Sequence, residues 1–242
     1  MAENQPVQKP KPLHRIFTAI PERYDLINHV ITLGMDRGWR KQAALACLAS
    51  RPQRILDICC GTGDLTIAVA RLADYNPEIT GVDYSQPMLD KAAEKAEKSA
   101  KGKNINFINS EIAQLPFPDG WFDCVGISFA FRNLTYKNPL VQEYLDEVLR
   151  VLKRGGKYVI VESSQPKSAL IRKLDHIYLR LWVFPSGLLI SGNKAAYKYL
   201  VESAEHFFSA EEAQEFLIKA GFKQATFKRL FLGAAAVYVA TK

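Results

Sequence analysis

Hydrophobic residues recur along the chain with two different periods, and each change of period marks a change of predicted element. Between Ile16 and Ala49 they recur at spacings of three and four, which is typical of one buried face of a helix. Gly34 and Gly38 interrupt this pattern. The sequence therefore predicts one helix before these glycines and a second helix from about Trp39 to Leu48.

Short apolar runs then alternate with amphipathic stretches through the middle of the chain. The runs predict five strands: Arg54 to Cys59, Ile79 to Asp83, Asn104 to Asn109, Phe122 to Phe129 and Lys157 to Glu162. The stretches between them predict helices from Asp64 to Leu72, from Ser85 to about Ala100 and over residues 139–152. Such alternation is typical of a parallel sheet with helices on both faces, whose ligands bind at the carboxyl ends of the strands.

The alternation stops after the fifth run. Residues from Pro166 to Ala204 favour one or two helices that are rich in large apolar side chains. A helix from Ser209 to Ala220 follows, and two final strands, Phe222 to Leu230 and Ala234 to Ala240, meet at Gly233 as a hairpin. The predicted fold class is α/β: a doubly wound, mostly parallel seven-stranded sheet with an N-terminal helical lid and a helical insert before the final β-hairpin.

The composition is that of an ordinary globular protein, with 48% hydrophobic and 24% charged residues among 242. We expect the polar, proline-rich residues 1–12 to be disordered and residues 13–242 to form one domain. Its predicted parts are the lid (13–50), a ligand-binding core (51–165), a substrate-pocket insert (166–205) and a C-terminal helix and strand pair (206–242). Neither a membrane helix nor a secretory signal is recognisable, and the four cysteines lack a disulfide pattern, so we expect a cytoplasmic protein with reduced thiols.

The formal net charge of +7 is unevenly distributed. Residues 57–165 carry 12 basic and 15 acidic side chains, whereas the two flanks, residues 1–56 and 166–242, each carry five more basic than acidic ones. A basic surplus can indicate binding to nucleic acid, to an anionic membrane or to acidic small molecules, and it can also be an ordinary solvated surface. The charge alone leaves these alternatives open.

A glycine-rich loop, Gly61-Thr62-Gly63, lies between the first predicted strand and the helix after it. Glycines there let the backbone approach a ligand closely, and the start of the helix offers free N–H groups. The loop lacks the lysine and hydroxyl residue of a P-loop, and Thr66 stands where a dinucleotide fold has its third glycine. S-adenosylmethionine (SAM), which has no pyrophosphate, is the ligand that remains.

Acidic residues near this loop favour a nucleoside ligand. Asp57 lies in the first strand, and Asp83 ends the second strand, where a carboxylate can accept hydrogen bonds from both ribose hydroxyls. Glu111 and Ile112, just past the third strand, can border an adenine. The alternatives are a buried capping role for Asp57 and an exposed helix cap for Asp83. For Glu111 and Ile112 the alternative is an ordinary surface loop.

Four ordered motifs resemble those of the class I SAM-dependent methyltransferases: DICCGTGDLT, GVDYSQPML, LPFPDGWFDCVGISFAFRN and EVLRVLKRGGKYVIVE. Four pieces narrow the resemblance to the C-methyltransferases of menaquinone and ubiquinone biosynthesis, the UbiE/MenG family. They are IFTAIPERYDLINHVITLGMDRGWRK, GTGDLT together with LPFPD, ISFAFRNLT and GNKAAYKYLVES. Together the motifs cover residues 16 to 241, nearly the whole chain.

The resemblance implies SAM as the cofactor, no metal, and methyl transfer to a ring carbon of a quinol that carries a polyprenyl tail. Because no mitochondrial presequence is recognisable, demethylmenaquinol is favoured over a benzoquinol. The predicted cofactor-binding residues are Asp57, Gly61, Thr62, Gly63, Asp83, Tyr84, Glu111, Ile112 and Ser128. Of these, the family resemblance implies Thr62, Asp83, Glu111, Ile112 and Ser128. Glu111 replaces the family's usual asparagine or aspartate, and Ile112 replaces its usual alanine.

The chemistry requires a group that manages the proton of a ring hydroxyl. Arg132 follows the fourth strand; since arginine is a poor base, we expect it to lower the pKa of that hydroxyl by its charge. The alternative is an arginine that only pairs with an acid. The predicted catalytic residues are Arg132, Asn133 and Tyr24, and the predicted substrate-binding residues are Asn28, Phe129, His176 and Tyr197.

Two segments have both a structural and a functional interpretation. Tyr24, Asp25 and Asn28 share one helical face, which either closes over both substrates as a lid or only packs. The insert from Leu170 to Leu189 is either a helix that faces the core or the wall of a pocket for an isoprenoid tail. In the second case, basic side chains beside it can rest on anionic headgroups.

The predicted partners are a prenylated quinol and, transiently, an anionic membrane surface, with no nucleic acid; a homodimer is left open. The predicted location is cytoplasmic and peripherally membrane-associated. Two other hypotheses are a class I methyltransferase acting on another phenolic or polyketide ring and a non-catalytic SAM-binding subunit. Intact Thr62, Asp83, Ser128 and Arg132 argue against the latter.

Overall fold

The structure, a computed structural model, describes residues 21–99 and 104–242. The predicted disorder of residues 1–12, the predicted helix start at Ile16 and the predicted helix end at Ala100 lie outside the described residues.

Among the described residues, seven strands form one sheet in the order β3-β2-β1-β4-β5-β7-β6. The strands are β1 (Arg54–Ile58), β2 (Glu78–Asp83), β3 (Ile105–Asn109), β4 (Phe122–Ser128), β5 (Leu152–Ser163), β6 (Gln224–Leu230) and β7 (Ala235–Thr241). The pairings among β1 to β5 are parallel, and β7 runs antiparallel to both β5 and β6. The predicted mostly parallel seven-stranded sheet with a final hairpin is therefore confirmed.

Helices cover both faces of this sheet. They are α1 (Pro21–Ile31), α2 (Met35–Leu48), α3 (Asp64–Leu72), α4 (Gln86–Glu97), α5 (Phe131–Thr135), α6 (Val141–Val151), α7 (Ala169–Tyr178), α8 (Phe184–Ser191), α9 (Lys194–Glu205) and α10 (Ala210–Lys219). A π-helical turn, Leu179–Val183, joins α7 to α8 without a break in the helical path. No helix in the described ranges combines the length and the apolar character needed to cross a bilayer.

The core divides into two layers because successive strand residues point to opposite faces of the sheet. Leu56 and Val125 belong to the layer on one face, whereas their chain neighbours Ile55 and Cys124 belong to the layer on the other. All four are at most 1% exposed. Strands that are buried on both faces explain why the sequence shows continuous apolar runs rather than alternation.

One of the two glycine interruptions predicted near the N-terminus differs from the structure. The helical region is interrupted at Gly34, which adopts φ +77°. Gly38, in contrast, lies inside α2, where an added Cβ would have nothing within 4 Å. An exposed glycine costs a helix only about 1 kcal/mol, so it does not end one. Gly155 and Gly156 lie within β5, which begins at Leu152 because Leu152 pairs with Phe122 across a register shift.

Candidate active site

The carboxyl ends of β1, β2 and β4 lie next to one another, since β1 pairs with β2 on one side and with β4 on the other. The strand order also reverses at β1. Strands β2 and β3 lie on one side of it, whereas β4 and β5 lie on the other. Doubly wound sheets bind ligands in the crevice outside the strand ends at such a point. The residues predicted after these strands are therefore brought to one edge.

The loop after β1 turns tightly because three of its residues have left-handed backbone: Cys59 at φ +49°, Gly61 at +54° and Gly63 at +77°. At Gly63 a side chain does not fit, since a Cβ would lie 3.0 Å from the Cβ of Ala92 and 3.3 Å from Cζ of Phe107. The glycine lets α3 begin close against the sheet, so that its first N–H groups lie beside the loop.

Asp83, at the end of β2, is buried and holds this loop in place. Its Oδ2 accepts a hydrogen bond of 2.9 Å from the backbone N–H of Gly61, and its Oδ1 accepts one of 2.9 Å from that of Ser85. Each carboxylate oxygen has a second lone pair. The carboxylate can therefore support the loop and still accept hydrogen bonds from the two hydroxyls of a ribose.

Asp57 in β1 is only 3% exposed. Its Oδ2 accepts a 2.5 Å hydrogen bond from the Thr66 hydroxyl, while its Oδ1 has no hydrogen-bond partner among the described residues. Desolvation raises the pKa of Asp57 to about 7, although the Thr66 hydrogen bonds and the charge of Arg40 act in the opposite direction. A buried carboxyl with an unpaired oxygen is a group that a cationic ligand would stabilise.

A cavity of about 120 Å³ borders the loop and the end of β2. The predicted cofactor residues that line it are Gly61, Asp83, Tyr84, Glu111 and Ile112. Backbone N–H groups, a carboxylate at the ribose position, and aromatic and apolar side chains for an adenine are thus present around one space. This set of groups fits SAM.

Four of the predicted cofactor residues do not line this cavity: Asp57, Thr62, Gly63 and Ser128. The Thr62 hydroxyl donates a 2.5 Å hydrogen bond to Oδ1 of Asp25 in α1, and Lys95 Nζ lies 2.6 Å from the other Asp25 oxygen. Ser128 Oγ accepts a 3.2 Å hydrogen bond from Nε of Arg40 in α2. In this structure both side chains attach an N-terminal helix to the sheet edge.

A second cavity, of about 470 Å³, meets the first at Tyr24, Phe129 and Asn133, which line both. Its wall comes from α1, α2, the insert and the turn after β6, and it is mostly apolar. Apolar lining residues include Ile31, Trp39, Ile171, Leu174, Val183 and Leu200. The two spaces therefore form a polar and an apolar compartment with a common boundary.

Arg132 lines the larger cavity, as expected for a residue that acts on the substrate. It also pairs with an acid, which was the alternative interpretation. Its Nη1 donates a 2.8 Å hydrogen bond to Ser163 Oγ and lies 3.6 Å from Oε1 of Glu162, which is fully buried. Its backbone N–H donates to the other Glu162 oxygen at 3.0 Å. Its Nε is buried and has no partner among the described residues. The guanidinium is thus a fixed positive charge at the cavity wall.

Phe129 and Tyr24 form the boundary between the two cavities. Phe129 has φ +55°, a strained conformation for a side chain of this size, and its ring packs against Trp39 and lies 5.1 Å from the Arg40 guanidinium carbon. A Cβ placed on Gly61 would lie 3.9 Å from the Tyr24 ring, so this ring contacts the loop. Burial raises the pKa of Tyr24, which favours a neutral phenol.

The remaining predicted substrate residues separate into two groups. Asn28 and Tyr197 line the larger cavity, and Nδ2 of Asn28 is buried without a partner among the described residues. The lining does not include His176, whose Nε2 lies 3.1 Å from Oε1 of Gln165. Within residues 21–99 and 104–242 there is no group of three or more His, Cys, Asp or Glu that could hold a metal ion.

Sequence reasoning missed Arg40 and the pair Glu162 and Ser163. Arg40 is 6% exposed and contacts Asp36, Asp64 and Ser128. A signal for Glu162 was available, because it ends a predicted strand and the carboxyl ends of all parallel strands meet at one edge. No comparable signal exists for Arg40, whose partners are set by how α2 packs.

Comparisons with known proteins agree with this geometry. Residues 5–242 match the family described as the ubiE/COQ5 methyltransferase family. A demethylmenaquinone methyltransferase of Lactobacillus johnsonii is 37% identical, covering 96% of this chain and 93% of that protein. A ubiquinone/menaquinone biosynthesis C-methyltransferase UbiE of Pseudomonas entomophila is 32% identical over 96% and 89%. A solved SAM-dependent methyltransferase of Thermotoga maritima has a TM-score of 0.64 at 21% identity, covering 94% of this chain and 99% of that one, and supports the fold.

Proposed function

The chain belongs to the ubiE/COQ5 methyltransferase family and is a SAM-dependent methyltransferase, and from this premise we propose its substrate and the roles of its residues. The proposed reaction is C-methylation of the ring of a polyprenylated quinol, with demethylmenaquinol converted to menaquinol. The observation that carries the proposal is the shared boundary of the two cavities. A polar compartment suited to the cofactor meets an apolar one of about 470 Å³ at Tyr24, Phe129 and Asn133.

The cofactor is proposed to bind in the smaller cavity. Asp83 would accept the ribose hydroxyls, Glu111 and Ile112 would border the adenine, and the loop at Gly61 would approach the cofactor through its backbone. SAM supplies the methyl group on a positively charged sulfur, so that the methyl carbon is open to attack by a nucleophile. The ionised form of Asp57 would stabilise that positive charge.

The quinol ring is proposed to bind where the cavities meet, with its tail in the apolar cavity. A ring carbon is a weak nucleophile until a neighbouring hydroxyl loses, or partly loses, its proton. The fixed charge of Arg132 at the cavity wall favours the ionised hydroxyl and so raises electron density on that carbon. Tyr24 and Asn133 line both spaces and would orient the ring against the methyl group.

Helix α1 is proposed to act as the lid over both compartments. Asp25, in the middle of the helix, attaches it to Thr62 and to Lys95, while Ile27 packs with Ala196 and Tyr197 of α9. Tyr24 and Asn28 of the same helix line the larger cavity. A helix held at these points excludes water from the space between the cofactor and the ring.

We also propose that the protein meets the membrane at the opening of the larger cavity. Several lining side chains are strongly exposed: Leu33 at 61%, Leu174 at 56%, Phe231 at 55% and Leu232 at 71%. Arg172 and Lys173 are exposed on α7 beside Leu174. Apolar side chains next to basic ones suit an anionic bilayer, from which a prenylated quinol would enter. Nucleic acid has no place in this proposal.

The test is methyl transfer from labelled SAM to a demethylated naphthoquinol and to the corresponding benzoquinol, each assayed under reducing conditions. We expect label on a ring carbon, with the naphthoquinol preferred. Asp83→Ala should weaken SAM binding by about tenfold or more, because it removes the ribose partners and the brace on the loop. Label on a phenol oxygen, or the absence of transfer to either quinol, would refute the proposed function.

A further inference from the structure

The larger cavity contains polar atoms that its apolar wall does not explain. Nε of Arg132 and the hydroxyl of Tyr199 are both buried, and neither has a hydrogen-bond partner among the described residues. Tyr199 lies in α9, and its ring is in edge contact with Tyr136 at 6.1 Å between centroids. No role for this tyrosine was predicted from the sequence.

Tyr199 is electrostatically linked to the Arg132 group. Burial raises the pKa of the Tyr199 hydroxyl; the charge of Arg132 acts against this, and the charge of Glu162 adds to it. The phenol is therefore neutral at physiological pH and can donate one hydrogen bond as well as accept others. Arg132 and Ser163 line the same cavity as Tyr199, and Glu162 lies behind them, fully buried.

Buried polar atoms without partners are uncommon in folded proteins, since each loses its hydration without gaining a hydrogen bond in return. Four residues that line the larger cavity carry such an atom: Asn28, Arg132, Ser164 and Tyr199. Their presence around one cavity indicates that a ligand or ordered water completes them. Most of the remaining wall is apolar, and a hydrocarbon tail alone would leave the Arg132 and Tyr199 atoms unsatisfied. An occupant with oxygen atoms on an otherwise apolar frame satisfies both parts of the wall.

We propose that Tyr199 is a further substrate-binding residue, whose hydroxyl and the Nε of Arg132 bind the ring oxygens of the quinol. This inference rests on the proposed function for the identity of the ring. It assigns the two ends of the substrate to different groups: the ring oxygens to Tyr199 and Arg132, and the tail to the apolar wall. Tyr199 would then fix which ring carbon faces the cofactor compartment.

The test compares two ligands and two phenylalanine variants. The ligands are a naphthoquinol with one prenyl unit and the naphthalene hydrocarbon with the same prenyl unit, bound under reducing conditions in the presence of S-adenosylhomocysteine. Tyr199→Phe removes the hydroxyl that lines the cavity. Tyr136→Phe is the matched control, because the Tyr136 hydroxyl donates to Glu202 at 3.2 Å and the cavity lining does not include this residue.

We expect Tyr199→Phe to weaken quinol binding by about tenfold and to change hydrocarbon binding by less than about twofold. Tyr136→Phe should change neither affinity by more than about twofold. Equal weakening of both ligands would mean a packing role for Tyr199, and unchanged quinol binding would mean no role; either result overturns the proposal. The proposal is also refuted if the wild-type protein binds both ligands equally.

A separate turnover assay distinguishes this inference from the proposed function. If the wild-type protein discriminates the quinol through Tyr199 but transfers no methyl group to it, the oxygen-binding site stands and the proposed reaction fails. If it methylates the quinol and Tyr199→Phe alters neither quinol affinity nor the ring position that is methylated, the reaction stands and the assignment of Tyr199 fails.

Discussion

The buried carboxyl of Asp57 should make both stability and cofactor binding depend on pH. Asp57 is 3% exposed, and its nearest neutral partner, the Thr66 hydroxyl, does not balance its charge. Asp57→Asn preserves the shape of the side chain, keeps an oxygen that accepts from Thr66, and removes the charge. The variant therefore isolates the effect of ionisation at this position.

The magnitude follows from the pKa of Asp57, which desolvation raises from an ordinary value of 3.8 to about 7. A shift of about three pH units corresponds to about 4 kcal/mol between the two protonation states. Between pH 4 and 7 the native carboxyl holds a proton that the unfolded chain has released. The free energy of unfolding should therefore fall as pH rises through this interval, by up to about 4 kcal/mol, and the contribution should be absent above it.

Cofactor binding should show the opposite trend. A cationic ligand near Asp57 favours its ionised form, so SAM affinity should rise as pH increases toward about 7 and level off above it. Binding below pH 7 should release protons, which calorimetry in buffers of different ionisation enthalpy detects. Asp57→Asn should bind SAM more weakly at pH 8 and lose most of this pH dependence.

The assay is urea unfolding of the wild type and of Asp57→Asn at pH 5 and at pH 8. The change in the free energy of unfolding between pH 5 and pH 8 is compared between the two proteins, so that contributions from other titrating groups cancel. One such group is Asp175, whose pKa is raised by burial to about 6. If both proteins show the same change, Asp57 does not titrate in this range and the argument is wrong. NMR titration of the Asp57 carboxyl carbon in the wild type decides the matter even if the variant fails to fold.

Three further predictions concern packing, charge and the membrane. Gly187→Ala should destabilise the protein by about 3 kcal/mol, because the new Cβ would lie 2.0 Å from the buried ring of Tyr197. Gly38→Ala, where the new Cβ meets open space, should stabilise it by up to about 1 kcal/mol. Urea unfolding that gives both variants a change of the same sign would contradict this packing. Glu162→Gln should lower the free energy of unfolding by about 3 kcal/mol and lower kcat without changing SAM affinity, because it leaves the Arg132 charge without its partner. Unchanged stability and kcat would show that the pair is dispensable. Leu232→Asp should reduce co-sedimentation with anionic vesicles and leave SAM binding intact, because Leu232 is 71% exposed at the cavity opening. Equal co-sedimentation of the wild type and the variant would show that this face does not bind the membrane.

The sheet and the cofactor loop could be predicted from the sequence because their signals are local. A strand buried on both faces is a short apolar run, and the loop at Gly61 needs glycines wherever the backbone turns left-handed. The predicted ends of β1, β2 and β4 fall within a residue or so of those observed. Since these ends meet in any doubly wound sheet, Asp83 and Phe129 could be assigned to one edge without coordinates.

Partners that depend on packing between distant segments could not be predicted. The family resemblance implies a cofactor contact for Thr62, whereas in the structure its hydroxyl donates to Asp25, which lies 37 positions away in sequence. Arg40 reaches Ser128 across 88 positions, and only the packing of α2 against the sheet sets this contact. The position of His176 beside Gln165 depends likewise on how α7 is rotated, which its apolar pattern does not fix.

Helix α1 links the two cavities more directly than the sequence indicated. Its polar side reaches the cofactor loop through Asp25, and its last turn is held by the insert, where the Tyr178 hydroxyl donates to Ile31 O at 2.7 Å and Trp182 Nε1 donates to Val30 O at 3.1 Å. The insert therefore adds side-chain donors to the last carbonyl groups of α1, of which Val30 O also accepts from the backbone N–H of Leu33 at 3.2 Å. Any shift of α1 alters the polar and the apolar compartment together, since Tyr24 lines both. The packing of this one helix thus couples the cofactor space to the quinol space.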